Sequence, residues 1–186
     1  MARYISFTTL LCIILMAAIL SMGTNQACAA SAAEIDRDVD AALKTLFAKS
    51  ESARALAEKA KGVLVFPAIV KAGFIVGGQY GEGALRESGK TVGYYNSVAA
   101  SYGLQAGIQK FGYALFFMSD SALKWIDKSD GWEIGTGPSI VIVDVGAAGS
   151  LTTTTAKSDI YAFFFSQKGL MAGIGLQGTK VTRINK

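Results

Sequence analysis

The stretch Lys71–Gly83 constrains the fold most, because it is apolar enough for a core yet contains five glycines. A glycine inside a helix costs about 1 kcal/mol relative to alanine, so we predict a strand here. Alternate residues of a strand share a face, which groups Gly73, Ile75, Gly77, Gln79 and Gly81. Such a glycine track indicates a sharp bend of the sheet, or close approach of another backbone or a ligand.

The same pattern of residues returns twice. Gly103–Gly107 and Gly169–Gly173 repeat the order glycine, apolar, any, small, glycine of Gly73–Gly77. This spacing is known from membrane helices, but the surrounding polar residues and further glycines favour strands. We expect three strands of one sheet whose glycine faces lie together, each with a nearby glutamine: Gln79, Gln105 and Gln177. The faces form either barrel corners with tight packing or a ligand groove.

Length and composition indicate one ordinary domain. The chain has 186 residues, 51% of them hydrophobic, with a formal charge of +4. A chain of this size buries roughly 70% of its unfolded surface. It has no histidine, the commonest general base and metal ligand, and its two cysteines, Cys12 and Cys28, both precede the folded body. We therefore predict no metal site, no cofactor and no structural disulfide.

The first 29 residues have the order of a secretory signal peptide. Arg3 precedes a short apolar run, Phe7–Leu20, and Ala27-Cys28-Ala29 fits a cleavage site. Cleavage after Ala29, or one residue later, leaves a single domain, residues 30–186. We predict an exported protein of the periplasm or cell envelope, with membrane association left open. Acylation at Cys28 fits less well, because Asn25 stands where such signals prefer an aliphatic residue, and a retained membrane segment is the third reading.

A long helix follows. Ser31 and Glu34 form a capping box, and apolar residues then recur at three- and four-residue steps until Gly62. The stripe is thin near Ser50, where a break is expected. We predict that the helix covers one face of the sheet. The alternative, an amphipathic helix on a membrane, is disfavoured by its acidic first half.

The remaining chain predicts an α+β fold. A short helix is expected near Ser121–Asp127 after the cap Ser119-Asp120. The connections are too short for parallel crossovers, so about eight strands should form a mostly antiparallel, strongly curved or barrel-like sheet. The strand segments are Gly62–Pro67, Lys71–Gly83, Thr91–Ser97, Val98–Gln109, Phe111–Met118, Trp132–Gly135, Ser139–Val145, Ile160–Phe165 and Leu170–Ile184.

No motif predicts an enzyme. Gly83–Thr91 resembles a phosphate-binding loop but has five residues between its glycines where the motif has four, so a hairpin turn is favoured. Asp144, in an apolar strand, has no second carboxylate nearby for acid–base work. Without histidine or a reactive cysteine, no nucleophile constellation is recognisable.

Basic residues are scattered rather than clustered, which argues against nucleic acid as a partner. Several stand at the ends of predicted strands, and Lys71 and Lys168 precede two of the glycine repeats in like positions. A basic rim gains about 1 kcal/mol per side chain near anionic lipid. A solvated surface explains them equally well. The set comprises Lys61, Lys71, Arg86, Lys90, Lys110, Lys168, Lys180, Arg183 and Lys186.

The sequence resembles SYLF-domain proteins from about Ile35 to Ile184. The matching stretches are Ala60–Pro67, Lys71–Gly78, Tyr80–Gly83, Ser101–Gly107, Gly131–Gly135, Ile160–Ser166, Lys168–Gly173 and Gln177–Lys180. The resemblance implies lipid binding and no enzymatic activity. Eukaryotic members bind phosphoinositide membranes through an amphipathic N-terminal segment, and fungal members also bind actin. Here an export signal takes that place, so actin and phosphoinositides are not expected, and the implied ligand is anionic phospholipid.

The sequence favours two functions over a third hypothesis, an enzyme that uses a buried carboxylate such as Asp144. The first is non-enzymatic binding of anionic phospholipid through a basic rim on the glycine-rich sheet, with Lys61, Lys71, Lys168, Lys180 and Arg183 as the lipid-binding residues. The second is an envelope protein that assembles through its aromatic strands, Tyr94-Tyr95 and Phe163–Phe165. The lipid headgroup and the oligomeric state stay open.

Overall fold

The computed structural model describes residues 30–127, 130–143, 158–169, 176 and 178–186, and every structural statement below concerns these. The signal segment 1–29 and Asp144 lie outside the described residues. So do Gln177 and most of the third glycine repeat. The side chains of 101–106, including Gln105, also lie outside the description.

Among the described residues, one long helix and two short helices accompany one sheet. The helices are α1 (Ala32–Lys49), α2 (Glu51–Ala57) and α3 (Asp120–Leu123). The described strands are β1 (Gly62–Glu87), β2 (Lys90–Phe117), β3 (Trp132–Glu133), β4 (Ile140–Val143), β5 (Ile160–Gly169) and β6 (Lys180–Ile184).

Local signals fix the ends of the first two helices. The capping box is present: the backbone N–H of Ser31 donates to Glu34 Oε2 at 2.8 Å, and Glu34 N–H donates back to Ser31 Oγ at 3.3 Å. The expected break falls at Ser50, which caps the end of α1 and, through its hydroxyl, the start of α2. The helix ends at Ala57, earlier than Gly62, and the intervening residues turn the chain into β1.

The centre of the sheet is β2. It pairs with β1 along nearly its whole length, and its other edge is shared by β6, at Tyr94–Val98, and β5, at Gln109–Phe117. Strand β3 pairs with β6 in antiparallel orientation, and β4 pairs with β5 in parallel orientation. The predicted class, α+β with a curled and mostly antiparallel sheet, is confirmed.

The strands are longer than the sequence predicted. Strand β1 unites the predicted strand 62–67 with the glycine strand, and β2 unites three predicted strands. Pro67 was expected to end a strand, but it lies within β1 at a register shift between Phe66 and Ile69. Proline has no backbone N–H, and at this unpaired position no hydrogen bond to β2 requires one. The phosphate-loop-like segment is a hairpin turn, as favoured, with Ser88 and Gly89 at φ 49° and 78°.

The sheet has a different core on each face. The helix face packs Val63, Val65, Ala114 and Phe116 against α1 and α2. The inner face, enclosed by the curl, carries a second cluster that includes Leu64, Phe66, Tyr95, Tyr113, Leu115, Phe117, Trp132 and Phe164. These two layers define the faces on which all other residues are placed below.

Glycines let the first strand fold back over itself. A Cβ on Gly81 would overlap the carbonyl oxygen of Ala68, and one on Gly83 would overlap that of Val65. At the bend, a Cβ on Gly73 would lie only 2.5 Å from the Cα of Gly77. Tight backbone packing, one of the two readings of the glycine track, is therefore confirmed at these positions.

We expect Gly83→Ala to destabilise the fold by about 2 kcal/mol or more, because the new methyl meets a backbone atom that cannot move independently. Urea denaturation of the purified protein measures this. The matched control is Gly78→Ala, whose Cβ meets nothing closer than Ala99 O at 3.6 Å. Equal stability of the two variants would contradict the packing described here.

Candidate functional site

The bend of the long hairpin forms an exposed corner. The register between β1 and β2 shifts between Phe74 and Val76, where Ile75 takes a left-handed conformation at φ 67°. This conformation is rare for a β-branched residue and costs of order 1–3 kcal/mol. Ile75 is nevertheless 45% exposed, so burial of its side chain offsets that strain only in part.

Large apolar side chains surround this corner and face solvent. Val76 is 64% exposed and Ile108 is 69% exposed. Isolated exposed apolar residues are ordinary, but contiguous ones mark interaction sites. We call the set the corner patch: Val70, Ile75, Val76, Tyr80, Val98 and Ile108.

The two halves of the hairpin border a shallow apolar groove in this patch. Its volume is about 410 Å³, and its walls come from β1 and β2 alone. Most lining residues alternate onto the helix face of the sheet, beyond the part that α1 covers. They are Val70, Ala72, Gly78, Tyr80, Val98 and Ala100.

A pair of lysines borders the groove on one side. Val70, Lys110 and Lys168 are successive cross-strand neighbours on β1, β2 and β5. Residues directly opposite each other share a face, so Lys110 and Lys168 project from neighbouring positions, where like charges are unfavourable in isolation. Both lysines are exposed, and within the described part of the chain neither makes an ion pair. We call Lys110 and Lys168 the lysine row.

The other predicted lipid-binding residues are more dispersed. Lys180 is exposed and lies opposite Val98, so it borders the groove on its other side, with Glu133 as its next neighbour. Lys71 is half-buried opposite Gln109, which alternation places on the inner face. Of the five predicted residues, Lys180 lies directly beside a groove residue, and Lys168 lies one strand further out, beyond Lys110.

Two of the five lie away from the corner. Lys61 is nine residues before Val70, about 30 Å along an extended strand. Arg183 is committed to local contacts: it pairs with Asp127 at 3.2 Å, donates to Val92 O at 3.0 Å and stands over the ring of Tyr95. The structure therefore does not gather the predicted residues into one rim.

Sequence reasoning missed two features of this surface. It did not predict the corner patch, and it did not place Lys110 beside the groove. Ile75, Val76 and Ile108 lie in apolar strand segments, which indicate core until the bend is known. The signal that was available is the glycine pair around Ile75 and Val76, since close glycines predict a bend and a bend exposes the residues between them.

The aromatic strands do not offer an assembly surface. Tyr95, Phe163, Phe164 and Phe165 are all at most 9% exposed and belong to the two cores. Tyr94 is half-buried, and its hydroxyl donates to Asp36 on α1 at 2.9 Å. The alternative function, assembly through these strands, is wrong in that form because their side chains hold the monomer together.

The described residues show no catalytic arrangement. Burial and a hydrogen bond to Glu82 raise the pKa of Tyr80 to about 12, so its hydroxyl stays a donor. Burial also raises the pKa of Tyr95 and of Tyr113. Within the described ranges no cluster of three potential metal ligands occurs, and no helix is long and apolar enough to cross a membrane.

A curled sheet with a shallow apolar groove, flanked by cations, defines a binding domain. Residues 98–186 match the family model described as Ysc84, Las17-binding protein actin regulator. The Ysc84 domain is the SYLF domain, so residues 98–186 match the family that the resemblance indicated. SYLF domains are lipid-binding domains and not a known enzyme family. No curated protein matches the chain.

We expect Ile75→Asn to raise the free energy of unfolding by about 1 kcal/mol, because asparagine tolerates the left-handed conformation and little burial is lost. Urea denaturation checks this. Val76→Asn serves as the control, since Val76 is more exposed and is not among the positive-φ residues. A loss of stability in Ile75→Asn would show that the isoleucine is not strained.

Proposed function

We propose that this protein is exported and binds anionic phospholipid membranes of the cell envelope through the corner patch and the lysine row. The single observation that carries the proposal is that the most exposed apolar residues, Val76 and Ile108, lie near the lysine row. Among the described residues, these two lysines form no ion pair. The family's lipid binding supports the class of ligand.

Apolar insertion and charge attraction act together in this proposal. Side chains at the bend enter the interface between headgroups and acyl chains, and each square ångström of apolar surface removed from water contributes about 25 cal/mol. Each lysine near an anionic surface adds about 1 kcal/mol. Lys110 and Lys168 gain most, because a phosphate group between them relieves their mutual repulsion.

The chemistry favours a bilayer surface over a single enclosed lipid. The groove is open, and its walls lack the enclosure that buries most of a small ligand. The exposed apolar residues extend past the groove to the tip of the bend, where a flat partner reaches them all. Of the five lipid-binding residues that the sequence analysis predicted, this proposal uses Lys168 and Lys180 and adds Lys110. The roles of Lys61, Lys71 and Arg183 stay untested predictions.

The first test is charge reversal of the lysine row. We expect Lys110→Glu with Lys168→Glu to abolish flotation with vesicles that contain anionic phospholipid at low salt. Lys59→Glu with Lys90→Glu is the matched control, because it changes the net charge by the same amount at exposed positions away from the corner. If both double variants lose binding alike, attraction is a property of net charge and the proposed surface is wrong.

The second test separates the apolar contribution. We expect Val76→Asn with Ile108→Asn to reduce binding to anionic vesicles about tenfold, and to leave less binding at high salt than the wild-type protein retains. The comparison of low and high salt is essential, because salt screens the lysines but not the apolar contact. Unchanged binding at both salt concentrations would remove the corner patch from the proposal.

A further inference from the structure

A carboxylate on the helix face collects an unusual set of donors. Glu82, on β1, has a side chain only 12% exposed. Lys186 Nζ donates to its Oε2 at 2.9 Å, and the hydroxyl of Tyr80 donates to its Oε1 at 2.8 Å. The backbone N–H of Ala30 is a third donor to the same carboxylate.

These donors keep Glu82 ionised. Burial raises the pKa of Glu82, but the hydrogen bonds from Lys186 and Tyr80, the charge of Lys186 and the Ala30 N–H together lower it below its ordinary value. The site is therefore a largely buried carboxylate that holds the backbone N–H of Ala30.

A second acceptor beside Glu82 is without a donor. Asn96 lies directly opposite Glu82 on β2, so the two side chains share a face about 5 Å apart at their Cβ atoms. Asn96 Oδ1 is buried and accepts no hydrogen bond from the residues described here. A buried acceptor left in this state costs about 1–3 kcal/mol.

We propose that Glu82 and Asn96 form a receptor for the free amino group of Ala30, generated by cleavage after Ala29. In that step an export peptidase adds water across the peptide bond. The hydroxyl goes to the carbonyl carbon of Ala29, and the nitrogen of Ala30 leaves as an amine and takes up protons. A single peptide N–H thereby becomes an ammonium with three donors, enough for Glu82 and for Asn96 Oδ1.

The geometry also selects between the two cleavage positions. Cleavage one residue later would remove Ala30 and with it the contact to Glu82. It would also place a free ammonium on Ser31, whose backbone N–H is already held by Glu34 in the capping box. The proposal rests on the export proposed above but not on lipid binding, so its failure leaves the corner patch untouched.

The test uses the full chain, expressed with export and purified after processing. Mass spectrometry of the N-terminal peptide is expected to begin at Ala30. A variant with Gly-Gly inserted after Ala29 keeps the cleavage site but moves the amino group two residues away. We expect its Tm to be about 2–4 °C lower, since loss of one such contact is a change of about 1 kcal/mol in a chain of this size.

Glu82→Gln supplies the specific control. It should lower the Tm of the processed wild-type chain and erase the difference caused by the Gly-Gly insertion, while Glu133→Gln, at an exposed strand position, should leave that difference intact. A start at another residue, no effect of the insertion, or a difference that persists in Glu82→Gln would each overturn the proposal.

A pH series keeps the test decisive if Glu82→Gln does not fold. An α-amino group loses its proton near pH 8. The advantage of the chain that starts at Ala30 should therefore be present below about pH 7 and shrink as the pH rises past 8. An advantage independent of pH between 6 and 10 would show that the charge of Ala30 has no part in it.

Discussion

The close approach of two stretches of one strand is the constraint on which the rest of this structure depends. Gly81 and Gly83 leave room for the carbonyls of Ala68 and Val65, and no other residue type would. This contact allows β1 and its partner β2 to double back as a pair, so a simple hairpin becomes most of a curled sheet. The inner core forms because the two halves then enclose Phe66, Tyr95 and Tyr113 between them.

The corner is the unavoidable consequence of that folding. A hairpin that doubles back must expose its bend, and α1 covers only the part of the helix face around Val63 and Phe116. Within the described part of the chain, the apolar residues at the bend are therefore largely exposed, and Ile75 retains an unfavourable backbone conformation there. Glycine or asparagine would adopt this conformation at a lower cost, so the strained isoleucine supports the membrane contact proposed above.

The sequence predicted the features that depend on adjacent residues of the chain. It failed to predict which side chains meet across strands, because the pairing register decides that. The capping box at Ser31, the break at Ser50 and the hairpin at Ser88-Gly89 depend on a few adjacent residues, and all three are confirmed. The lysine rim is different. Lys71 and Lys168 occupy like positions in their repeats, yet they do not align in the sheet. Lys168 pairs with Lys110 beside the register shift between Lys110 and Gly112, whereas Lys71 pairs with Gln109. One inserted residue exchanges the faces of a strand, and no local pattern shows where it falls.

Tyr80 connects the two surfaces described here. Its ring forms part of the groove wall, while its hydroxyl donates to Glu82, the carboxylate that also holds Ala30 and Lys186. The high pKa of Tyr80 keeps that donor in place across the physiological range. The apolar wall on β1 is thus tied to the carboxylate that holds the Ala30 N–H, whereas the lysine row lies on β2 and β5. Under the proposal for Ala30, cleavage after Ala29 would add one positive charge beside this wall, because a peptide N–H becomes an ammonium.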